Sequence, residues 1–300
     1  DAVKASYDTE KTPDGQDMYD EYIPCYVIGD YAGIQDGDCV MHTNYRQDRA
    51  IQLTQAFVCD DYAGSRVRRP KVTYLGFTRY WDEFEDYLLG AMGAGGGMDN
   101  LLGEVVSKAG LRQLRIAETQ KFRHVTSFFN GKSTVPSEGE DQVDIPSRFD
   151  PATFATHPEM DAYNVTDELL KRLEDNPYSF IVVNFANGDM VGHTGVMEAV
   201  IYAMECVDNG LKAILEAADK YGYRVLITAD HGNADQMTET KKGKTSVRTA
   251  HSLNPVPFII YDKDNDWQII DGAYGLANVA PTIVKMMGLE APECWEASMI

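Results

Sequence analysis

The sequence lacks the features that would place it among membrane, secreted or disulfide-rich proteins. No apolar run is long enough to span a bilayer, and no signal peptide pattern is present. The five cysteines are odd in number and far apart, and no CxxC motif occurs. We therefore predict free thiols in a reducing, cytoplasmic setting. The first residue is Asp1 rather than Met, so we expect the natural protein to begin further upstream.

Positive charge is also scarce. The 300 residues include 27 basic and 47 acidic ones, which gives a formal net charge of −20. Such a chain is poorly suited to bind nucleic acid or an anionic membrane. It would also repel a phosphorylated ligand unless cations gather locally, so clusters of arginine, lysine or metal ligands are informative. Hydrophobic residues make up 44% and charged residues 25%, as in soluble globular proteins with a real core.

Strand and helix patterns alternate along the chain. Met197–Tyr221 has apolar residues at the three-and-four spacing of an amphipathic helix, and Asn100–Gly110 and Leu276–Gly288 are shorter candidates that end on glycine. The alternation from about residue 100 onward predicts βαβ units in an α/β fold with a mostly parallel sheet. Val135–Pro158, with four prolines, predicts a loop. The β-rich segments are Cys25–Ile28, Cys39–Tyr45, Lys71–Thr78, Phe180–Ala186, Arg224–Ala229 and Val256–Tyr261.

A glycine-rich stretch, GAMGAGGGM at Gly90–Met98, interrupts this pattern. It precedes a helix candidate, as a phosphate-binding loop would, but it lacks the GK[ST] ending and does not clearly follow a strand. A hinge is the favoured interpretation. We therefore predict one unit at residues 1–95 and a second at residues 96–300.

Acidic and imidazole side chains stand at the ends of three predicted strands. Asp230 and His231 follow one strand, Asp189 and His193 lie four residues apart after another, and His251 precedes a third. Taken alone, each of these five residues would more often have a structural role than bind a metal. Ligand sites in open α/β sheets collect beyond the carboxyl ends of the strands, so these five side chains are expected to converge. Mixed nitrogen and oxygen ligation suits Zn or Mn.

A basic cluster complements these ligands. Arg46 and Arg49 lie three residues apart in NYRQDRA, at a predicted strand-to-helix turn. Each of these cations has an ordinary alternative as a surface charge or salt-bridge partner, but guanidinium groups bind phosphate and carboxylate in bidentate fashion. The segment LRQLRIAETQKFRHV adds further basic residues, Arg112, Arg115, Lys121, Arg123 and His124. Together with the candidate metal ligands, these basic residues predict a metal-dependent phosphoryl-transfer enzyme.

The motifs NFANGDMVGH, ITADHGNAD, TAHSLNPVPFI, NYRQDRAIQLTQAF and GLRQLRIAETQKFRHVT closely resemble those of cofactor-independent (2,3-bisphosphoglycerate-independent) phosphoglycerate mutase, a family of the alkaline phosphatase superfamily. The resemblance runs over nearly the whole chain, in order. It implies an alkaline-phosphatase-like three-layer sheet domain at residues 96–300, without its N-terminal segment. It also implies the C-terminal half of a second α/β domain, the phosphotransferase domain, at residues 1–95.

The resemblance also implies an activity and its participants. The family is a glycolytic isomerase that interconverts 3-phosphoglycerate and 2-phosphoglycerate through a phosphoserine, with two Mn²⁺ ions that Zn, Co or Mg can replace. By matching position, Asp189, His193 and His251 would bind one metal, and Asp230 and His231 the other. Arg46 and Arg49 would bind substrate, and Lys121 would contact the phosphoryl group. The full-length protein would be a monomer without nucleic acid or membrane partners.

One departure affects the expected activity. In the family, the nucleophilic serine and a further aspartate ligand belong to a segment that precedes Asp1, so the 300 residues alone are expected to be inactive. Two alternatives follow: a non-catalytic truncated or split fragment, or a related metal-dependent phosphatase. The arginine and lysine motifs argue against the phosphatase.

Overall fold

The computed structural model describes residues 2–11, 15, 18, 23–81, 83–89, 98–175, 177–241 and 243–300. The predicted hinge falls almost entirely outside the described residues, since its residues 90–97 are not among them. The division into units at residues 95 and 96 therefore stays a prediction. Across the described part of the chain, no helix has both the length and the apolar character needed to cross a membrane.

The first part of the chain forms a small parallel sheet. After helix α1 (Ala2–Thr9), strands β1 (Cys39–His42), β2 (Thr73–Thr78) and β3 (Tyr87–Leu89) pair in that order, and helix α2 (Asp48–Val58) follows β1. Aromatic side chains fill the space between the sheet and α2, with Tyr74, Tyr80 and Phe84 at the centre.

The strand predicted at Cys25–Ile28 is wrong. These residues have no regular structure, and a turn follows in which Gly29 takes the left-handed φ of 66°. Val27 and Ile28 are exposed, so their β-rich composition buries no apolar surface. The strands predicted around β1 and β2 are confirmed, each a little shorter than predicted.

The second part contains a three-stranded parallel sheet with β4 at its centre. After helix α3 (Leu102–Lys108), β4 (Gln113–Glu118) lies between β5 (Glu140–Ile145) and β6 (Phe180–Asn184), and helix α4 (Thr119–Val125) follows β4 directly. All six residues of β4 are buried. Helix α5 (Ala162–Glu174) packs on this sheet through an apolar cluster that includes Leu114 and Ile116.

Strands β4 and β5 were not among the predicted strands, and β5 lies in the segment predicted as a loop. Both strands are rich in polar residues, and β5 begins with three of them in a row, so neither shows a clear apolar pattern. In β4 even the polar positions Gln113 and Arg115 are buried. In β5 only Val143 and Ile145 are apolar.

The chain then runs through α6 (Asn187–Gly192) and α7 (Met197–Tyr221) to β7 (Val225–Thr228), the hairpin β8 (Thr238–Lys241) and β9 (Lys244–Val247), and β10 (Phe258–Tyr261). Helix α7 has the predicted bounds and ends on Gly222 in the left-handed conformation. A 3-10 turn at Leu276–Asn278 precedes α8 (Val279–Met286), where one helix was predicted. Strands β7 and β10 pair antiparallel, so the mostly parallel arrangement holds only for the two three-stranded sheets.

Candidate metal centre

Four chain segments meet near the ends of β4, β6 and β7 and the start of β10. Lys121 lies on α4 after β4, and Asp189 and His193 lie at α6 after β6, which is parallel to β4. His231 follows β7. His251 precedes β10, whose first residue pairs with the last residue of β7 because the two strands are antiparallel. The start of β10 and the end of β7 therefore lie on the same side, through an antiparallel pairing that the sequence did not predict.

Three of the predicted ligands form a close triangle. The Asp189 Oδ1 atom lies 3.1 Å from His193 Nε2 and 3.0 Å from His251 Nε2. The two Nε2 atoms are 3.2 Å apart. Ligands at about 2.1 Å from one ion are roughly 3.0 Å apart at a right angle and roughly 3.4 Å apart at a tetrahedral angle. The triangle therefore fits the ligand spacing around a single divalent ion.

The imidazole of His193 is oriented by the backbone. Its Nδ1 lies 2.7 Å from the carbonyl oxygen of Thr249, so Nδ1–H donates to that oxygen. This bond fixes the tautomer and leaves the Nε2 lone pair facing Asp189 and His251. A hydrogen bond from the far ring nitrogen to a carbonyl is the usual support for a metal-binding histidine.

The Asp189 carboxylate is held ionised. Burial raises its pKa, but the positive charge of Lys121, whose Nζ donates to Asp189 Oδ2, and the hydrogen bond from Asn233 lower it, and the pKa lies well below its usual range. Burial lowers the pKa of His251, against the opposing charge of Asp189. An anionic oxygen and a neutral imidazole are the protonation states that metal binding requires.

His231 extends the cluster, whereas Asp230 lies at its rim. The His231 ring stacks on His251 with centroids 3.8 Å apart. Ligand atoms of Asp189, His231 and His251 all lie within 4.8 Å of one another. The side chain of Asp230 is 55% exposed, and its Oδ2 is 3.7 Å from His231 Nε2. The structure thus brings four of the five predicted ligands together and leaves Asp230 beside them.

The two histidine loops are fastened to each other by residues to which the sequence analysis gave no role. Gly232 and Ser252 form an antiparallel bridge, with the Ser252 N–H donating to the Gly232 carbonyl at 2.8 Å. The Asp235 Oδ2 atom accepts from Ser252 Oγ at 2.8 Å and from Asn254 Nδ2 at 2.6 Å. These contacts keep His231 and His251 stacked. Asp235 lies within the ITADHGNAD motif, but its partners are visible only once the loops are folded.

The two predicted substrate-binding arginines are exposed, and one of them contacts the residue before Lys121. Arg49 Nη2 donates to Gln120 Oε1 at 3.1 Å, one residue before Lys121 in the chain. The backbone N–H of Arg46 donates to Asn44 Oδ1 at 2.8 Å, so the start of α2 is shaped by a local side-chain bond.

Two members of the predicted basic cluster have structural roles instead. Arg115 is 0% exposed and lies between the rings of Phe129 and Phe180, 4.4 and 4.9 Å from their centroids. Burial lowers its pKa to about 10, which leaves it charged at neutral pH. Arg112 Nη2 is 2.7 Å from Asp141 Oδ2 on β5. The structure therefore gives Arg115 a packing role and Arg112 a salt-bridge role, which are the ordinary alternatives to ligand binding.

Comparisons with known proteins agree with the motifs. Residues 21–291 match the model of the family described as the metalloenzyme superfamily. The chain is 45% identical over 274 residues to the 2,3-bisphosphoglycerate-independent phosphoglycerate mutase of Pseudomonas fluorescens (strain Pf0-1), covering 91% of this chain and 52% of that protein. For the enzyme of Pseudomonas syringae pv. syringae (strain B728a), the identity is 44% over 279 residues, with 93% and 53% covered.

A solved structure gives the same match. Leishmania mexicana phosphoglycerate mutase at low cobalt concentration superimposes with a TM-score of 0.80 and 32% identity, over 97% of this chain and 53% of that one. The resemblance predicted from the motifs and the α/β, alkaline-phosphatase-like fold are confirmed. The chain spans about half the length of the curated relatives it matches.

Proposed function

Since this chain belongs to the metalloenzyme superfamily, we propose that it works as the metal-binding part of a cofactor-independent phosphoglycerate mutase, which interconverts 3-phosphoglycerate and 2-phosphoglycerate. The observation that carries this proposal is the triangle of Asp189, His193 and His251, with atoms 3.0 to 3.2 Å apart. The similarity to mutases over more than nine-tenths of the chain supports the choice of reaction.

Two divalent ions would be held by the clustered side chains. Asp189, His193 and His251 would hold one, and His231 with Asp230 would contribute to the other. We propose Mn²⁺ as the resident ion, with Co, Zn or Mg as substitutes, because the site offers both a carboxylate oxygen, which suits Mn and Mg, and imidazole nitrogens, which suit Zn. Bound there, the ions would supply the positive charge that binds and polarises phosphoryl oxygens.

Lys121 would act on the same phosphoryl group. Its ammonium group is almost fully buried and donates to Asp189 Oδ2, so it is already desolvated beside the proposed ion. A preorganised cation in a site of low dielectric stabilises charge that develops on transferring oxygens. In a chain of net charge −20, this cation offsets the repulsion of an anionic substrate.

Arg49 and Arg46 would hold the glycerate part of the substrate. Arg49 contacts Gln120, the neighbour of Lys121, so a small phosphorylated acid could reach both cations. Bidentate binding of a carboxylate or phosphate by guanidinium fixes orientation as well as affinity. We further propose that residues 1–95 form the substrate-binding unit and residues 96–300 the metal-binding unit, as the sequence predicts.

The reaction would pass through a phosphoserine, and we assign no serine of this chain to that role. Ser252, which follows His251, is the serine closest in sequence to a proposed ligand. Its hydroxyl donates to Asp235 Oδ2 at 2.8 Å, and its side chain is buried in the bridge between the two loops. The nucleophile is therefore proposed to come from outside the 300 residues.

A chimera tests the function. The chain would replace the matching half of the Pseudomonas fluorescens mutase, and conversion of 3-phosphoglycerate would be measured with Mn²⁺. We expect mutase turnover from the chimera, none from the 300-residue chain alone, and none from the chimera carrying Asp189→Asn. A folded chimera that binds Mn²⁺ but releases inorganic phosphate would identify a phosphatase. A folded chimera with neither activity would refute the proposal.

A further inference from the structure

We propose that Asn233 is a positioning residue that orients the Asp189 carboxylate and thereby determines how tightly the triangle of Asp189, His193 and His251 binds a divalent ion. The inference rests on the proposed metal centre and adds to it a residue outside the ligand set. Asn233 belongs to the loop after β7, whereas Asp189 belongs to α6, so the contact joins two of the segments that build the centre.

The geometry of the contact fixes a side-chain rotation. The Asn233 Nδ2 atom donates to two acceptors of the same residue, the Asp189 carbonyl at 3.1 Å and the Asp189 Oδ1 at 2.9 Å. Because one amide group holds both the backbone and the carboxylate, the carboxylate cannot turn independently of α6. Asn233 is only 4% exposed, so water has little access to compete for these bonds.

This rotation determines which oxygen faces the histidines. Oδ1 lies 3.1 and 3.0 Å from the two Nε2 atoms, while Oδ2 accepts from Lys121. Without the Asn233 amide, the carboxylate would be free to turn toward Lys121, its strongest charge partner. Oδ1 would then leave the position from which it completes the triangle. Partners that orient metal ligands in this way typically change affinity by about 10–100-fold when they are removed.

Gly192 makes room for Asn233. A Cβ atom added at Gly192, the last residue of α6, would lie 2.6 Å from Asn233 Oδ1 and 2.8 Å from its Cγ. Among the described residues, Asn233 Oδ1 is buried without a hydrogen-bond partner, an arrangement that costs folding free energy. The hydrogen bonds that this amide makes are donations to Asp189, which is the role we assign to it.

Two variants test the inference with the metal alone as ligand. Asn233→Ala removes the donor. Gly192→Ala displaces Asn233 while leaving its amide intact, and alanine is itself the better helix former. We expect both variants to bind Mn²⁺ about 10–100-fold more weakly in calorimetric titration. We also expect an altered visible absorption spectrum of bound Co²⁺, which reports the ligand geometry and which a purely structural role would not change.

Matched variants separate the possible outcomes. Asn164→Ala removes an equivalent amide-to-carboxylate bond, Asn164 Nδ2 to Asp161 Oδ1 at 2.7 Å on α5, and should leave Mn²⁺ affinity unchanged. Suppose that Asn233→Ala and Gly192→Ala both keep the wild-type affinity and Co²⁺ spectrum while Asp189→Asn loses binding. This result would overturn the proposed role of Asn233 and leave the proposed metal centre standing. Wild-type affinity in Asp189→Asn would instead overturn the metal centre. If Asn233→Ala does not fold, Gly192→Ala decides between these outcomes.

Discussion

Glu118 gives the protein a pH-dependent stability that can be tested without any ligand. It is the last residue of β4 and is 1% exposed. Ser147 Oγ donates to its Oε2 at 2.9 Å, and the Asp161 N–H lies 3.4 Å from its Oε1. Burial raises the pKa of Glu118 from 4.5 to about 7. The hydrogen bond from Ser147 opposes the rise, and the nearby Asp161 charge adds to it.

The sign of the effect follows from proton binding. Between pH 4.5 and about pH 7 the folded protein holds a proton on Glu118 that the unfolded chain has released. The free energy of unfolding therefore falls as pH rises through this range and levels off above it. At about 1.4 kcal/mol per pH unit, the raised pKa corresponds to a loss of about 3 kcal/mol.

Glu118→Gln should remove this dependence. A glutamine has nearly the same shape, stays neutral and can still accept from Ser147. Urea unfolding followed by circular dichroism at pH 4, 6 and 8 would give the free energy of unfolding of both proteins. We expect the advantage of the variant over the wild type to grow by about 3 kcal/mol from pH 4 to pH 8.

An exposed glutamate provides the control. Glu138→Gln lies in the loop before β5, where surface substitutions usually change stability by less than about 0.5 kcal/mol. Its difference from the wild type should stay nearly constant with pH. A difference for Glu118→Gln that is equally flat would refute the assignment of a protonated Glu118 to the folded protein.

Three further outcomes are expected. Asp189→Asn should lower Mn²⁺ affinity in calorimetry by about 100-fold or more, because loss of a ligand exceeds the effect typical of outer partners; unchanged affinity would exclude Asp189 from the centre. In the chimera, Arg49→Ala should lower kcat/KM by an amount equivalent to about 1.5–3 kcal/mol while Mn²⁺ content stays constant; wild-type kinetics would remove Arg49 from the site. Arg115→Ala should lower the free energy of unfolding, measured in urea, by about 3–5 kcal/mol, because the buried Glu140 carboxylate loses its cationic partner. Arg112→Ala, which breaks the more exposed pair with Asp141, should cost about 1 kcal/mol or less, and equal losses would contradict the role of burial.

The sequence predicted the long helix and most of the side chains that cluster at the candidate metal centre, because both leave a local signal. Helix α7 has an apolar stripe along its length and a glycine at its end. Asp189 and His193 lie four residues apart just after a strand, and His231 closely follows another strand. Their positions at strand ends were therefore visible in the sequence, and the fold brings those ends together.

The features that the sequence did not predict depend on partners distant in the chain. Arg115 is buried because Phe129 and Phe180 enclose it, and neither ring is near it in sequence. Its charge made β4 resemble part of a basic surface cluster. Likewise, nothing local to Asn233 indicates that Gly192 leaves space for it or that Asp189 accepts from it.

The bridge between Gly232 and Ser252 closes a loop whose tip is free to change. His231 directly precedes one residue of this bridge and His251 directly precedes the other, and the hairpin of β8 and β9 lies in the loop that the bridge closes. At the hairpin turn, Gly243 has a φ of 75° and no atom within 4 Å of a Cβ added to it. Evolution or an engineer can therefore lengthen the hairpin, or carry a peptide tag on its tip, at little cost in loop closure. The tip of the hairpin therefore offers an attachment point on the loop that joins His231 to His251.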